Sequence, residues 1–407
     1  MEKKERVILH SDANAFYASV ECALNPALRG KAVAVCGAAE SRHGIVLAKS
    51  ELAKRAGVKT GMTNWQAKRL CPDLILVPPR HDIYAKYSKA LHEIYARYTD
   101  LVEPYGLDEC WLDVTNNLKS PHTIAEEIRL CVKQELGITV SVGISFNKVF
   151  AKLGSDLKKP DAVTEITRDN FREKVWGLPC ADMLYCGRAT TEKLEKVGVR
   201  TIGELARFPK ASLVRMFGKN GETLWRYANG LDDSAVSRIG EAEQPKSIGH
   251  GITCVEDLVN LEEAGTVLVA LTQEIGQKLR FYGLQARGVQ VTVRNSALEF
   301  ESWQRQLSSP TQSALTLSRA AGELLQEKYR WKKLIRALTV SAINLERTDA
   351  PSQLSLFGEG RGDERILRVE NAMDQIKNTF GERAIVPASL LSENKLPKEM
   401  KGDHDDD

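Results

Sequence analysis

The 407-residue sequence contains no apolar run near the ~18 residues that a membrane span needs. Its opening, Met1 to Arg6, is charged and leads into only four apolar-leaning residues, too few for a secretion signal. A cytoplasmic location is therefore expected. No two of the eight cysteines stand in C-x-x-C spacing, which argues against a zinc or dithiol redox site. Most lie among apolar neighbours and are expected as reduced, packed thiols. There is no internal repeat, and no low-complexity tract before residues 403–407. Strong net charge is missing too: 57 basic and 54 acidic residues leave +3. With 43% hydrophobic and 27% charged residues, the chain is neither disordered nor fibrous nor a small disulfide scaffold, and its length suggests about three domains.

The charge is unevenly placed. Residues 147–220 carry a net +6, residues 77–146 a net −3, and residues 347–407 a net −4. A basic stretch beside an acidic one suits a phosphate-rich partner held next to a cation site. On charge alone, solvated faces are the simpler account.

Strands are expected at 6–10, 32–36, 44–48, 110–114 and 139–144. Helices are expected at 15–21 (capped by Asn14 or Asp12), 51–56, 82–98 and 124–135. This mixture reads as an α+β sheet domain. Residues 167–233 look all-helical, with a polar linker at 234–246. Residues 247–346 then spell β-α-β-β-α-β. From 347 a flexible tail is expected. It contains one more helix, whose apolar stripe Ile366, Val369, Met373, Ile376 and Phe380 needs something to pack on.

Asp12 follows the first strand, and Asp108-Glu109 precedes the strand at 110–114. Neighbouring strands would bring the three carboxylates together, where they repel unless a cation lies between them. Hard oxygen donors of this kind suit Mg²⁺ completed by substrate phosphates, and two such ions serve phosphoryl transfer. By spacing alone, a helix cap and a solvated turn explain the same residues.

The surrounding sequences are more specific. His10-Ser-Asp-Ala-Asn-Ala-Phe-Tyr-Ala-Ser-Val-Glu21 resembles the first motif of the Y-family translesion DNA polymerases. The stretch from Glu103 to Thr115 resembles their second catalytic motif, and Val140 to Pro160 a long third one. The resemblance runs in order over about 1–345 and implies a right-hand fold. Palm would be 1–30 and 77–166, small fingers 31–76, and a helix-hairpin-helix thumb 167–233. The little finger would be 247–346, followed by a tail at 347–407. It also implies template-directed addition of dNTPs to a primer 3′-OH on primer-template DNA, with low fidelity, no proofreading nuclease and two Mg²⁺ per active site. Asp12, Asp108, Glu109 and the Ala13 carbonyl would bind metal, with Glu109 nearest the attacking oxygen. Tyr17 would be a steric gate that rejects a 2′-OH by clash. Phe16 would brace the sugar and triphosphate, and Lys159 would contact the phosphates.

Some positions depart from the family. Where it carries Tyr and Arg gripping the triphosphate, this sequence has Glu51 and Lys54. Lys54 supplies a point charge without the bidentate fork, Glu51 pairs with it at i+3, and Lys49 is a substitute contact. Weaker nucleotide binding is the expectation. Ile45 and Leu47 replace small residues roofing the nascent base pair, which predicts poorer tolerance of bulky adducts than of abasic sites. In the thumb, Tyr185-Cys-Gly-Arg188 stands where Gly-x-Gly is usual, leaving Gly187 and Arg188 for the DNA phosphate. Arg330, Lys332 and Lys333 would give the little finger sequence-independent phosphate contacts. Gln353-Leu-Ser-Leu-Phe357 resembles the bacterial sliding-clamp-binding peptide, with Gln353, Leu354, Leu356 and Phe357 as anchors. The expected state is a monomer. Another palm-domain nucleotidyl enzyme and a non-catalytic clamp-bound accessory protein are the competing readings.

Overall fold

In a computed structural model the described residues are 5–37, 44–241, 244–350, 361–382, 384–391 and 395–396. The chain divides into two compact units, Met1–Ala242 and Glu243–Asp407.

The first unit opens with β1 (Ile8–Ala13), buried at every position. Next come α1 (Phe16–Leu24), β2 (Val33–Cys36), β3 (Val46–Lys49), α2 (Glu51–Arg55), α3 (Asn64–Leu70) and β4 (Ile75–Val77). Then follow α4 (His81–Tyr95), β5 (Val102–Tyr105), β6 (Glu109–Asp113), α5 (Pro121–Leu136), β7 (Val140–Ser145), α6 (Lys148–Leu157) and β8 (Val163–Ile166). Five short helices complete the unit: α7 (Phe171–Val175), α8 (Arg188–Glu195), α9 (Ile202–Arg207), α10 (Lys210–Phe217) and α11 (Lys219–Ala228). The main sheet has the order β5-β6-β1-β7-β8, and a smaller one the order β3-β2-β4. Because β1 is central, its polar residues His10, Ser11 and Asp12 are buried and must find partners inside the protein.

Two expectations need correction here. Asp12 lies inside β1, and neither it nor Asn14 caps α1; the cap position is Ala15, at φ 50° with no side-chain bond. Asn14 is committed elsewhere. Its amide donates to Ser141 Oγ at 3.0 Å, and its oxygen accepts from Thr139 Oγ1 at 3.0 Å and from the Asp161 amide at 2.9 Å.

Helix α6 packs on the sheet by a close glycine contact. A Cβ on Gly143 of β7 would stand 1.9 Å from the Ala151 carbonyl oxygen, and one on Gly154 would stand 3.1 Å from the Gly143 Cα. Only glycine permits the approach.

The second unit runs β9 (Ser247–Leu258), α12 (Leu261–Phe281), β10 (Leu284–Asn295), β11 (Phe300–Thr311), α13 (Ala314–Lys328) and β12 (Ile335–Arg347), as the sequence pattern predicts. Its antiparallel sheet has the order β11-β10-β12-β9. Leu268, Leu271 and Ile275 of α12 and Leu324 of α13 share one core with Val291 and Val340 of the sheet. Along the strands, buried residues alternate with Gln290, Thr292, Thr339, Ser341 and Ser302, which form a polar face of mostly uncharged groups. Gly249 and Gly251 of β9 leave room for the Ser341 and Thr339 hydroxyls, which a Cβ would meet at 2.4 and 2.1 Å.

For the described residues of 361–396 the tail is docked rather than flexible, and the one further helix expected there is present. Helix α14 (Arg361–Phe380) is docked on the second unit, and Leu396 lies in its core at 2% exposure. The Val255 amide donates to the Lys395 carbonyl at 3.0 Å. Ile366, Val369 and Met373 of the expected stripe border an apolar cavity with Val269, Ala314 and Leu315, and beside them the helix is anchored by polar groups. Glu370 is buried and accepts from Ser313 Oγ (3.0 Å), from the Ala314 and Leu315 amides at the start of α13 (3.0 and 3.1 Å), and from Arg280 Nη1 (2.6 Å). Asp374 takes the rest of the Arg280 fork. Phe380 of the stripe is exposed. All eight cysteines are free, six of them buried.

Candidate active site

The register of β1 decides the site. Asp12 stands opposite Glu109 on β6 and opposite Ser141 on β7, and the Ala13 amide donates to the Asp108 carbonyl at 2.9 Å. Asp108, Glu109 and Asp12 are thus gathered at one end of the central strands. Asp12 and Asp108 border a cleft of about 620 Å³ between the main sheet and the small β3-β2-β4 sheet, and Glu109 stands beside them on β6. Its lining includes Asp12, Ala13, Phe16, Tyr17, Asp108 and Lys159 from one side, and Leu47, Lys49, Glu51 and Lys54 from the other.

Each carboxylate has a distinct environment. Asp12 is pushed up to about 6 by burial, against the pull of Lys159, whose Nζ lies 2.6 Å from Asp12 Oδ2. The same ammonium is 2.7 Å from Asp156 Oδ1. Burial and the neighbouring Glu109 raise Asp108. Burial also opposes ionisation of Glu109, but His10 and Lys152 outweigh it and hold that carboxyl down at about 2. Lysines thus stand where the spacing argument puts a cation. Among the described residues, no group of three or more His, Cys, Asp or Glu is assembled into a metal cage. The donor chemistry nevertheless fits a hard divalent cation, since Asp12 and Asp108 border one cleft with Glu109 paired opposite Asp12, and Asp12 and Glu109 already hold cationic groups.

The Tyr17 ring is stacked on Tyr84 of α4, with centroids 4.1 Å apart and planes at 13°. Tyr84 is itself fixed, because its hydroxyl donates to the buried Glu21 carboxylate at 2.7 Å and Glu21 pairs with Arg80. Phe16 is buried beside Tyr17. Lys54 and Glu51 stand 3.9 Å apart across i,i+3, and Lys49 Nζ donates to Thr60 Oγ1 at 3.0 Å. Leu47 lines the cleft, whereas Ile45 does not appear among its walls and is 39% exposed.

Other residues singled out in the sequence lie elsewhere. Gly187 caps α8, and the Arg188 side chain is almost fully exposed and pairs with Glu192 at 2.8 Å. Tyr185, at φ 65°, adopts the left-handed backbone that glycine takes easily and stacks on Tyr227. In the second unit Arg330 and Lys332 are exposed, and Lys333 Nζ pairs with Glu299 at 2.6 Å. Gln353, Leu354, Leu356 and Phe357 lie outside the described residues. Sequence reasoning missed His10, Lys152, Asn14 and Asp156 as site residues. All four stand inside the quoted motifs, but their partners depend on strand register and on the seating of α6.

Residues 11–156 match the impB/mucB/samB family model, residues 245–356 its C-terminal domain, and residues 186–232 a model described as the thumb domain of DNA polymerase-iota. DNA polymerase IV of Acetivibrio thermocellus is 45% identical over 396 residues, covering 96% of this chain and 99% of that protein. DNA polymerase IV of Moorella thermoacetica is 38% identical over 389 residues, covering 95% and 96%. Among solved structures, a chimeric Y-family DNA polymerase shares the fold with a TM-score of 0.73 at 23% identity, over 83% of this chain and 98% of that one. The chain belongs to the impB/mucB/samB family of bacterial Y-family DNA polymerases.

Proposed function

We propose that this protein is a template-directed, low-fidelity translesion DNA polymerase that adds dNTPs to a primer 3′-OH. The single observation that carries this reading is the cleft that sets Asp12 and Asp108 beside Tyr17 and Lys159, with Glu109 opposite Asp12 on the neighbouring strand, in a chain of this family. Asp12, Asp108, Glu109 and the Ala13 carbonyl would hold two Mg²⁺. When bound, these ions supply charge stabilisation to the triphosphate and ease ionisation of the primer hydroxyl.

The protein's own groups do the rest. Glu109 lies nearest the attacking oxygen. Lys159, which lines the same cleft and pairs with Asp12, would contact the phosphate oxygens. The Tyr17 face, held by Tyr84, closes the space that a 2′-OH would need, with Phe16 behind it. Lys54, with Lys49 beside it, is the positive charge on the opposite wall, tempered by Glu51. Gly187 and Arg188 of the helical segment, and Arg330, Lys332 and Lys333 of the second unit, are the DNA-phosphate contacts of this reading. The polar sheet face offers a surface that does not read bases. Gln353, Leu354, Leu356 and Phe357 are the clamp-binding peptide, and the working form is a cytoplasmic monomer.

Primer extension by the purified protein tests the reading. We expect incorporation that requires Mg²⁺ and is lost, by at least about 1000-fold, in Asp108→Ala/Glu109→Ala. Adding sliding clamp should lengthen products, and deleting 353–357 should abolish that gain while leaving distributive synthesis. No incorporation on any template would favour a clamp-bound accessory role.

A further inference from the structure

His10 and Ser155 stand behind the carboxylates, and the reading above gives them no task. His10 is fully buried in β1. Its Nδ1 is 2.8 Å from Ser155 Oγ on α6, and its ring packs against Trp111 at 5.1 Å. Its Nε2 lies 3.2 Å from Glu109 Oε2 and, though buried, has no partner of full hydrogen-bond geometry among the described residues. A ring proton on Nε2 is what this placement requires, because two lone pairs would otherwise oppose each other away from water. Ser155, whose single hydroxyl proton can otherwise go to the Lys152 carbonyl at 2.7 Å, then turns that proton to the bare Nδ1. The contact exists because Gly143 and Gly154 let α6 sit hard against the sheet.

Lys152, the other partner of Glu109, differs in one respect. Its side chain is 18% exposed and its ammonium also lies 5.0 Å from the Tyr105 ring centroid, so it has a second station once a metal ion neutralises Glu109. His10, enclosed on all sides, has none.

We propose that His10, braced by Ser155, is a positioning residue that holds the Glu109 carboxylate in its metal-binding orientation, and that Lys152 is the exchangeable counter-ion. The inference rests on the metal-site reading above. Outer partners of ligating groups commonly govern affinity by about 10–100-fold. The test is Mn²⁺ titration, followed by electron paramagnetic resonance, of the full chain with dNTP and a dideoxy-terminated primer-template, so that no bond forms. Ser155→Ala and His10→Leu should weaken Mn²⁺ binding about 10-fold or more. His10→Gln, which keeps an N–H donor, should recover most of it, and Lys152→Met should bind Mn²⁺ at least as tightly as the parent. Unchanged affinity in Ser155→Ala, with melting temperature unchanged, would overturn the proposal. Ser155→Ala decides even if His10→Leu fails to fold, since it removes a single oxygen. Absence in the parent of any Mn²⁺ binding sensitive to Asp108→Ala would sink the metal-site reading itself.

Discussion

Asn14 shows how much one side chain in the first motif has to do. It faces the cleft, yet all its hydrogen bonds are spent inside the protein, on Ser141, Thr139 and the Asp161 backbone. The last of these ties down the loop that carries Lys159, and Asp161 is also gripped by Arg129. An alanine there leaves a buried amide N–H and two hydroxyls short of partners, each costing about 1–3 kcal/mol. We expect Asn14→Ala to lose about 2 kcal/mol in urea unfolding and to raise the dNTP KM more than it lowers kcat, because the Lys159 loop is loosened while the carboxylates stay. A fall in kcat at unchanged KM would contradict this. From sequence, Asn14 reads as a helix cap. Nothing in the linear pattern shows that strand pairing turns it towards Ser141 instead.

Helix α6 is the element on which the site is hung. One turn carries Lys152, Ser155 and Asp156, which reach Glu109, His10 and Lys159 respectively. All three contacts depend on the Gly143 and Gly154 approach. The Cβ of Gly143→Ala would meet backbone oxygen at 1.9 Å, so the helix must move away. We expect that variant to lose 3 kcal/mol or more on the order-of-magnitude scale of core overpacking and strain, and to lose polymerase activity even where some folded protein remains. Gly265→Ala, with open space at its Cβ, is the control and should be neutral.

Elements with strong patterns were legible from sequence. The six segments of the β-α-β-β-α-β unit alternate or repeat cleanly, and they appear within a few residues of the expected places. Helices α3 and α6 and strands β4, β5 and β8 were not anticipated. The three strands have only three or four residues each, too few for a period to show, and are fixed by pairing with neighbours. The candidate carboxylates were legible as a motif. Their separate environments were not, because burial and lysine partners come from the sheet register.

At the scale of the whole molecule, the chain is two units, and the second does not end where its family domain does. The C-terminal domain match stops at 356, yet Leu396 belongs to the same core as β9 and α12, and α14 is bonded to α12 and α13 through Glu370. The apolar stripe seen in the sequence suggested a docking helix. The actual bolt is a carboxylate that caps α13 and neutralises the buried Arg280. Breaking a buried ion pair from one side costs about 3–5 kcal/mol, and Asp374 retains part of the Arg280 fork here. We expect Glu370→Ala to destabilise the second unit by about 3 kcal/mol, read as an earlier melting transition with the transition of the first unit unmoved. Coincident loss of both transitions would refute that independence.

The place of Leu396 has a consequence for synthesis. A chain leaves the ribosome from its N-terminus, and residues 5–241 hold every strand of both sheets of the first unit. That unit can fold while the rest is still being translated. The second cannot seal its interior until Leu396 emerges, so a nascent chain that stalls before it would display a first unit already closed and a second still gaping. Quality control by proteolysis would act on that end first.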